Sequence, residues 1–385
     1  MKAICNAAVV KTITHGDLEE ATVLIDQGKI LMVGHNLEIP EGTEIIDAKG
    51  GIVTPGIIDV HTHVGLFTEG AGESGVDGNE MTEASTPHVR AIDGINPDDL
   101  AFEDARKGGV TTVQIMPGSA NVIGGEMAVL KTVGTTVEEM MVKAPSALKV
   151  AFGENPKRVY GKKGKMPMTR MGVAAVLREQ LYKARTYIEK KKRAQENGDY
   201  FEYDLRMEVL TQVVEGKIPM RAHAHRADDM MTAIRIAEEF SLHLTLEHGT
   251  EGHKIAKILG EKGVPVAVGP TMSSRSKVEL ANRSWQTLTA LADAGVPISI
   301  TTDHPVVGIE YLPVTAAIAV REGLSEKVAW EAITINAARH IGIADRVGSI
   351  EVGKDADFVI WDGDPFDFRT HVVETMINGE IVYSR

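Results

Sequence analysis

The chain has 385 residues, a single cysteine, 43% hydrophobic and 25% charged residues, and a net charge of −13. Its length exceeds the size at which one compact core stops growing, and its composition excludes a disordered or collagen-like chain, so a large globular domain with a smaller companion is expected. The acidic balance, with no basic stripe interleaved with aromatics, argues against nucleic acid and membrane surfaces and for a small-molecule substrate, while Cys5 alone cannot staple the fold and points to a reducing cytoplasm.

Met1 to Val10 carries one lysine and an apolar run too short for a signal-peptide core or a membrane span. From Ala21 to Asp47 come Val23-Leu24-Ile25, a turn at Asp26-Gln27-Gly28, Lys29-Ile30-Leu31-Met32-Val33-Gly34 and Glu44-Ile45-Ile46-Asp47, short β runs broken by Gly or Asp that predict hairpins. The far end repeats the pattern, with Ala356-Asp357-Phe358-Val359-Ile360-Trp361, Val372 to Ile377, the turn Asn378-Gly379 and Ile381-Val382-Tyr383. Neither piece is long enough to bury a core alone. The two ends are therefore expected to join in a small β-sandwich domain over 1–55 and 346–385, leaving 56–345 as a second domain.

Strand-like and helix-like segments alternate through that middle stretch. Strands are expected at 57–63, 110–116, 148–153, 218–224, 243–248, 264–268 and 297–302, with an eighth in the Gly-rich region 118–134, at Met127 to Thr132. Helices are expected at 97–107, 171–196, 203–215, 228–240, 251–262, 284–294, 313–323 and 325–341. Such alternation predicts an α/β fold with parallel pairing. Polar residues end at least five strands, which favours a closed (β/α)8 TIM-like barrel over an open sheet with one switch point. Two long connections interrupt the pattern. Gly65 to Pro97 is Gly-rich and acidic, the composition of a lid or of disorder. Glu154 to Gly172 carries Lys157, Arg158, Lys162, Lys163, Lys165 and Arg170, and reads either as a seat for an anionic substrate group or as a solvated basic loop.

The polar strand ends carry the chemistry. In Gly56-Ile57-Ile58-Asp59-Val60-His61-Thr62-His63-Val64 the two histidines stand two residues apart and face the same side of a strand, at the end where barrel sites collect. Paired neutral imidazoles suit zinc, iron, nickel or manganese, although one such pair is also a common surface or core feature. Three further strand ends repeat the signal: Arg221-Ala222-His223-Ala224-His225, Glu247-His248 and Thr302-Asp303-His304. Four such ends in one alternating chain point to a metal site.

Nearly the whole chain resembles the metal-dependent hydrolases of the amidohydrolase superfamily, close to the imidazolonepropionase-like and prolidase-like branch. The resemblance is carried by Gly50-Gly51-Ile52-Val53-Thr54-Pro55-Gly56-Ile57-Ile58-Asp59-Val60-His61-Thr62-His63 and by Asn336-Ala337-Ala338 through Gly348-Ser349-Ile350-Glu351-Val352-Gly353-Lys354-Asp355-Ala356-Asp357. It implies that His61 and His63 bind the more buried ion, that His223 and His248 bind a second, and that Asp303 binds the first while handling the proton of the attacking water. It also implies a carbamylated lysine, or a glutamate, bridging the ions from the fourth strand. In Ala147-Leu148-Lys149-Val150-Ala151-Phe152-Gly153-Glu154 the favoured bridge is Lys149, whose parity turns it inward with Ala151 and Gly153, and Glu154 is the alternative ligand. The expected cofactor is one or two divalent ions, zinc foremost, with Fe2+, Mn2+ or Ni2+ as alternatives. A homo-oligomer is expected.

On this reading the protein hydrolyses a C–N bond of a cyclic amide, an N-acyl amino acid or a dipeptide-like small molecule through a metal-activated hydroxide. Substrate contacts or supporting roles are expected of His88, Arg170, Arg221, His225 and His304. The alternatives are a hydrolytic deaminase or chlorohydrolase with a mononuclear site, and a non-catalytic barrel that binds. Deaminases of the superfamily carry a glutamate three residues beyond the fifth-strand histidine; Arg226 stands there instead.

Overall fold

In the computed structural model, which describes residues 1–385, eight strands of the middle region form one sheet bent into a barrel. They are β1 (Ile57–Thr62), β2 (Val110–Ile115), β3 (Ile123–Lys131), β4 (Met141–Ala151), β5 (Met220–Ala224), β6 (Leu244–His248), β7 (Val266–Val268) and β8 (Ile298–Ile300), hydrogen-bonded in chain order. The α/β barrel anticipated above is thus present. The eighth strand falls in the Gly-rich region, as Ile123–Lys131 rather than Met127 to Thr132, and it is antiparallel to both neighbours. Its direction follows from its connection, because Met116–Val122 is too short for the crossover that parallel pairing requires. The other neighbouring strands run parallel, with Lys149 opposite Arg221 and His223 opposite Glu247.

The seam between β1 and β8 is closed by side chains. Asp59, buried at the centre of an apolar strand, accepts from the hydroxyls of Thr301 and Thr302, the Thr302 amide and the His61 amide. One carboxylate therefore fixes the end of the last strand against the first. An apolar cluster of 61 buried residues packs the strands against the surrounding helices.

Two sheets built from both chain ends flank the barrel. One joins Lys2–Cys5, Thr22–Asp26, Lys29–Gly34 and Glu44–Asp47; the other joins Val9–Lys11, Asp17–Glu19 and Ile52–Pro55 to Phe358–Trp361, Val372–Ile377 and Glu380–Ser384. A cluster of 15 residues, including Ile4, Val23, Val53, Phe358 and Met376, fills the space between them. Buried Lys131, at the end of β3, pairs with Asp355 and Asp357 and ties the barrel to this layer. Asp357→Asn, which removes one charge of that triad, is expected to cost about 1–3 kcal/mol and to lower the melting temperature by a few degrees in calorimetry. An unchanged transition would show that the tie is inert.

Four segments differ from the pattern read in the sequence. The expected helix 251–262 is a turn at Gly252–Lys254 followed by a helix that starts only at Ala256. The expected helix 325–341 is two helices, Glu326–Ile333 and Ile335–His340, broken at Thr334, where the β-branched run Ile333-Thr334-Ile335 disfavours helix. The basic connection contains the helix Glu154–Lys162, masked in the sequence by Pro156, which the first turn tolerates, and by Gly161. The acidic connection is anchored rather than loose. Asp99 accepts from the Gly65 and Glu69 amides, Tyr160 Oη donates to the Glu83 carbonyl, and the Arg90 backbone pairs with that of Glu126 in β3. No helix is long and apolar enough to cross a membrane.

Candidate metal centre

The C-terminal ends of β1, β5, β6 and β8 bring two groups of metal-ligating side chains together. His61, His63 and Asp303 form one, and His223, His225 and His248 the other, each with its ligand atoms within 4.8 Å of one another. The groups adjoin, since the His61 and His248 ring centroids are 4.6 Å apart. His225, anticipated as a supporting residue, stacks on His248 at 4.4 Å within the second group.

Backbone conformation aims two of these residues. His248 (φ 74°) and Asp303 (φ 53°) adopt left-handed conformations that side chains other than glycine's rarely take. Each costs of order 1–3 kcal/mol, a strain characteristic of functional positions. At His248 the reason is parity. Glu247 already points into the barrel, so its chain neighbour would face outward on a regular strand, and the left-handed turn brings both inside.

Hydrogen bonds orient the rings. His61 Nδ1 donates to Glu247 Oε2 at 2.8 Å, His63 Nδ1 to the Met116 carbonyl at 2.7 Å and His248 Nδ1 to the Gly269 carbonyl at 2.7 Å. Each ring is left with Nε2 as its free lone pair, the arrangement usual for ligating histidines. Met116 is placed by the β2–β3 hairpin, so the antiparallel strand contributes directly to the site. Glu247 in turn accepts from Arg221 Nε at 2.7 Å and lies 3.4 Å from His340 Nε2.

The protonation states suit cations. Burial pulls His63 down and His223, His225 and His248 well below the usual imidazole range, which keeps these rings neutral at pH 7. Removal from water would raise Asp303, but the rings of His61 and His63 hold it well below the usual carboxylate range. Burial would likewise raise Glu247, and Arg221, His340 and His61 hold it down. A divalent ion fits this donor set on two observations. Asp303 Oδ1 lies 3.4 Å from His61 Nε2 and 3.3 Å from His63 Nε2, near the edge, roughly 3.3–3.6 Å, of a tetrahedron whose corners stand about 2.0–2.2 Å from one ion. In the second group, buried His223 has no hydrogen-bond partner on either ring nitrogen, an orphaned pair that a native interior rarely leaves.

Lys149 lies beside the first group and is buried, its Nζ 3.4 Å from His61 Nε2 and 3.1 Å from Met116 Sδ. Gly124 of β3 makes room for its stem, for a Cβ there would stand 3.2 Å from Lys149 Cγ. Burial pulls the Lys149 amine down to about 8. Glu154 heads the helix Glu154–Lys162 outside both converging groups, with Oε2 buried and unpartnered. Arg221 is fully buried beneath the histidines, and His304, beside Asp303, has both ring nitrogens unpartnered and Nε2 3.6 Å from Glu69. Arg170 is engaged by Asp228 and Asp229. His88 is half-buried in the first long connection and joins neither group.

Sequence reasoning assigned no role to Asp59, Glu247, His340 or Glu279. An aspartate inside Ile57-Ile58-Asp59-Val60 and a glutamate ending Leu244-Thr245-Leu246-Glu247 are detectable as charges placed in apolar strands. Glu279 follows a strand end by ten residues of loop and leaves no such signal.

The sequence pattern described as Amidohydrolase family matches residues 52–382. Amidohydrolase tasK of Hapsidospora irregularis is 31% identical across 93% of the chain, which spans only 39% of that relative's length. The imidazolonepropionase of Shewanella halifaxensis is 26% identical, with 90% of the chain matching 88% of the relative. The crystal structure of an amidohydrolase from Thermotoga maritima superimposes over the whole of both chains with a TM-score of 0.98 at 49% identity.

Proposed function

Because the chain belongs to the amidohydrolase family and is a hydrolase of carbon–nitrogen bonds, we propose that it opens the amide of a small cyclic amide, with N-acyl amino acids and dipeptide-like molecules as the neighbouring substrate classes. The observation that carries this reading is the adjacency of the two ligand groups, His61, His63 and Asp303 beside His223, His225 and His248. The imidazolonepropionase relative, named for an imidazolone, supports a cyclic amide.

His61, His63 and Asp303 would hold one divalent ion and His223 and His248 a second, with zinc favoured by the nitrogen-rich donor set. Such ions, when bound, lower the pKa of a bound water to roughly 7 and polarise a carbonyl. Asp303 would bind the ion through Oδ1 and, through its other carboxylate oxygen, take the proton of the attacking water and deliver it to the leaving nitrogen. Glu247 keeps His61 in the tautomer that offers Nε2, and Arg221 balances the Glu247 charge. His304 would contact the substrate, a reading supported by its two unpartnered ring nitrogens beside Asp303.

A deaminase with one ion is the second reading. The position three residues beyond His223 argues against it, because Arg226 is committed there to an ion pair with Asp228 at 2.9 Å. Elemental analysis combined with a screen of cyclic imides, N-acyl amino acids and dipeptides decides between them. About two ions per chain and ring opening of a cyclic amide are expected. One ion with ammonia released from an amino-substituted ring would replace this reading with the deaminase.

A further inference from the structure

Glu279 reaches the second group of histidines from a segment that no motif marks. It lies in the short turn Val278–Leu280 beyond β7, on none of the strands that carry the histidines, and is 4% exposed. Its Oε1 stands 3.7 Å from His223 Nε2 and 3.6 Å from His225 Nε2. These spacings are too long for hydrogen bonds; the 3.6 Å one stands at the long end of the ligand-to-ligand edge around one ion, roughly 3.3–3.6 Å, and the 3.7 Å one just beyond it. His223 is 2% exposed, and neither of its ring nitrogens has a partner. His225 is held through Nδ1 by Thr250 Oγ1 at 2.7 Å, so its Nε2 is the atom turned to Glu279.

Each oxygen of the carboxylate has a donor. Lys277 Nζ donates to Oε1 at 3.3 Å, and the Glu154 amide, at the start of the helix Glu154–Lys162, donates to Oε2 at 3.1 Å. Gly153 (φ 81°) keeps the approach open, since a Cβ there would stand 3.0 Å from Glu279 Oε2. Three buried neutral imidazoles supply ligand atoms but no negative charge, and a dication among them needs a compensating anion.

We propose that Glu279 is a ligand of the second ion, its Oε1 joining the ion beside the Nε2 atoms of His223 and His225, the two rings it faces. This rests on the metal-dependent reading above and adds to it a ligand from the loop after the seventh strand. The Glu154 amide holds the second oxygen in place, while Lys277 shares Oε1 and would yield it to the ion on binding.

The test is competitive metal titration of the full chain, followed by the absorption spectrum of the cobalt(II)-loaded protein. Wild type is expected to take two ions. Glu279→Gln, equal in size, should keep the first ion and bind the second more than about tenfold more weakly, the least expected when even an outer partner of a ligand is lost. Its cobalt bands should shift. Glu279→Asp, which keeps the charge and most of the packing, should fall between the two and serves if the glutamine variant does not fold. Equal affinity and an unchanged spectrum in the variants would overturn the inference alone. A wild-type chain that binds a single ion would also overturn it while leaving a mononuclear hydrolase standing, and hydrolysis without any metal would sink both.

Discussion

His61→Ala is expected to empty the first ion site and to lower kcat/KM by on the order of a thousandfold or more, because a bound ion supplies several kcal/mol of transition-state stabilisation. The fold should survive. His61 belongs to the polar layer at the strand ends, whereas the barrel is held by 61 apolar residues that do not include the ligands. The substitution does remove a donor from Glu247, but Arg221 still pairs with that carboxylate at 2.7 Å and His340 remains 3.4 Å away. The structural cost is therefore that of one buried hydrogen bond, about 1–3 kcal/mol, and calorimetry of the metal-free protein should move by only a few degrees. The decisive measurement is metal content beside activity. A His61→Ala, His223→Ala double variant that kept its full complement of metal would show that the ions, if any, sit elsewhere.

The second large effect concerns Lys149. A buried ammonium beside two dications is unfavourable, and an amine converted to a carbamate by carbon dioxide would replace that cation with an anion beside His61, which the Lys149 Nζ approaches at 3.4 Å. Only the neutral amine reacts. With its pKa pulled down by burial to about 8, roughly a tenth of Lys149 is neutral at pH 7 and about half at pH 8, far more than for an exposed lysine. Metal-free protein should therefore regain activity faster when metal and bicarbonate are added together than with metal alone. At constant dissolved carbon dioxide the rate should grow as pH rises from 6.5 to 8.5. Lys149→Ala should lose the second ion and most of the activity, by on the order of a hundredfold, with partial rescue by a short carboxylic acid; Glu154→Gln should be mild. If bicarbonate has no effect, Lys149→Ala stays active and Glu154→Gln strips the metal, Glu154 is the ligand instead.

The parts of this site legible in the sequence were those governed by strand parity. His61 and His63, or Lys149 with Ala151 and Gly153, can be assigned to one face by counting, and the alternation of apolar runs gave the barrel with most of its helices. Where the backbone leaves the regular strand, counting fails. Glu247 and His248 are adjacent and should oppose each other, yet the left-handed turn at His248 admits both. Glu279 arrives through a loop whose path depends on tertiary packing rather than on periodicity. The direction of β3 was readable in principle from the short connection Met116–Val122, but its glycines dilute the β pattern. The helix after β4 was hidden because Pro156 and Gly161 are turn signals in most settings and are tolerated here by position.

The pairing of Ile52–Pro55 with Phe358–Trp361 also bears on biosynthesis. A ribosome that has made Pro55 must add roughly 300 more residues, at about 5–20 per second, before the partner strand leaves the exit tunnel. For some tens of seconds the nascent amino-terminal sheet displays Val53 and the open edge of its strand with nothing to cover them. Chaperone binding should therefore concentrate on this early segment until the strand Phe358–Trp361 emerges and seals the edge.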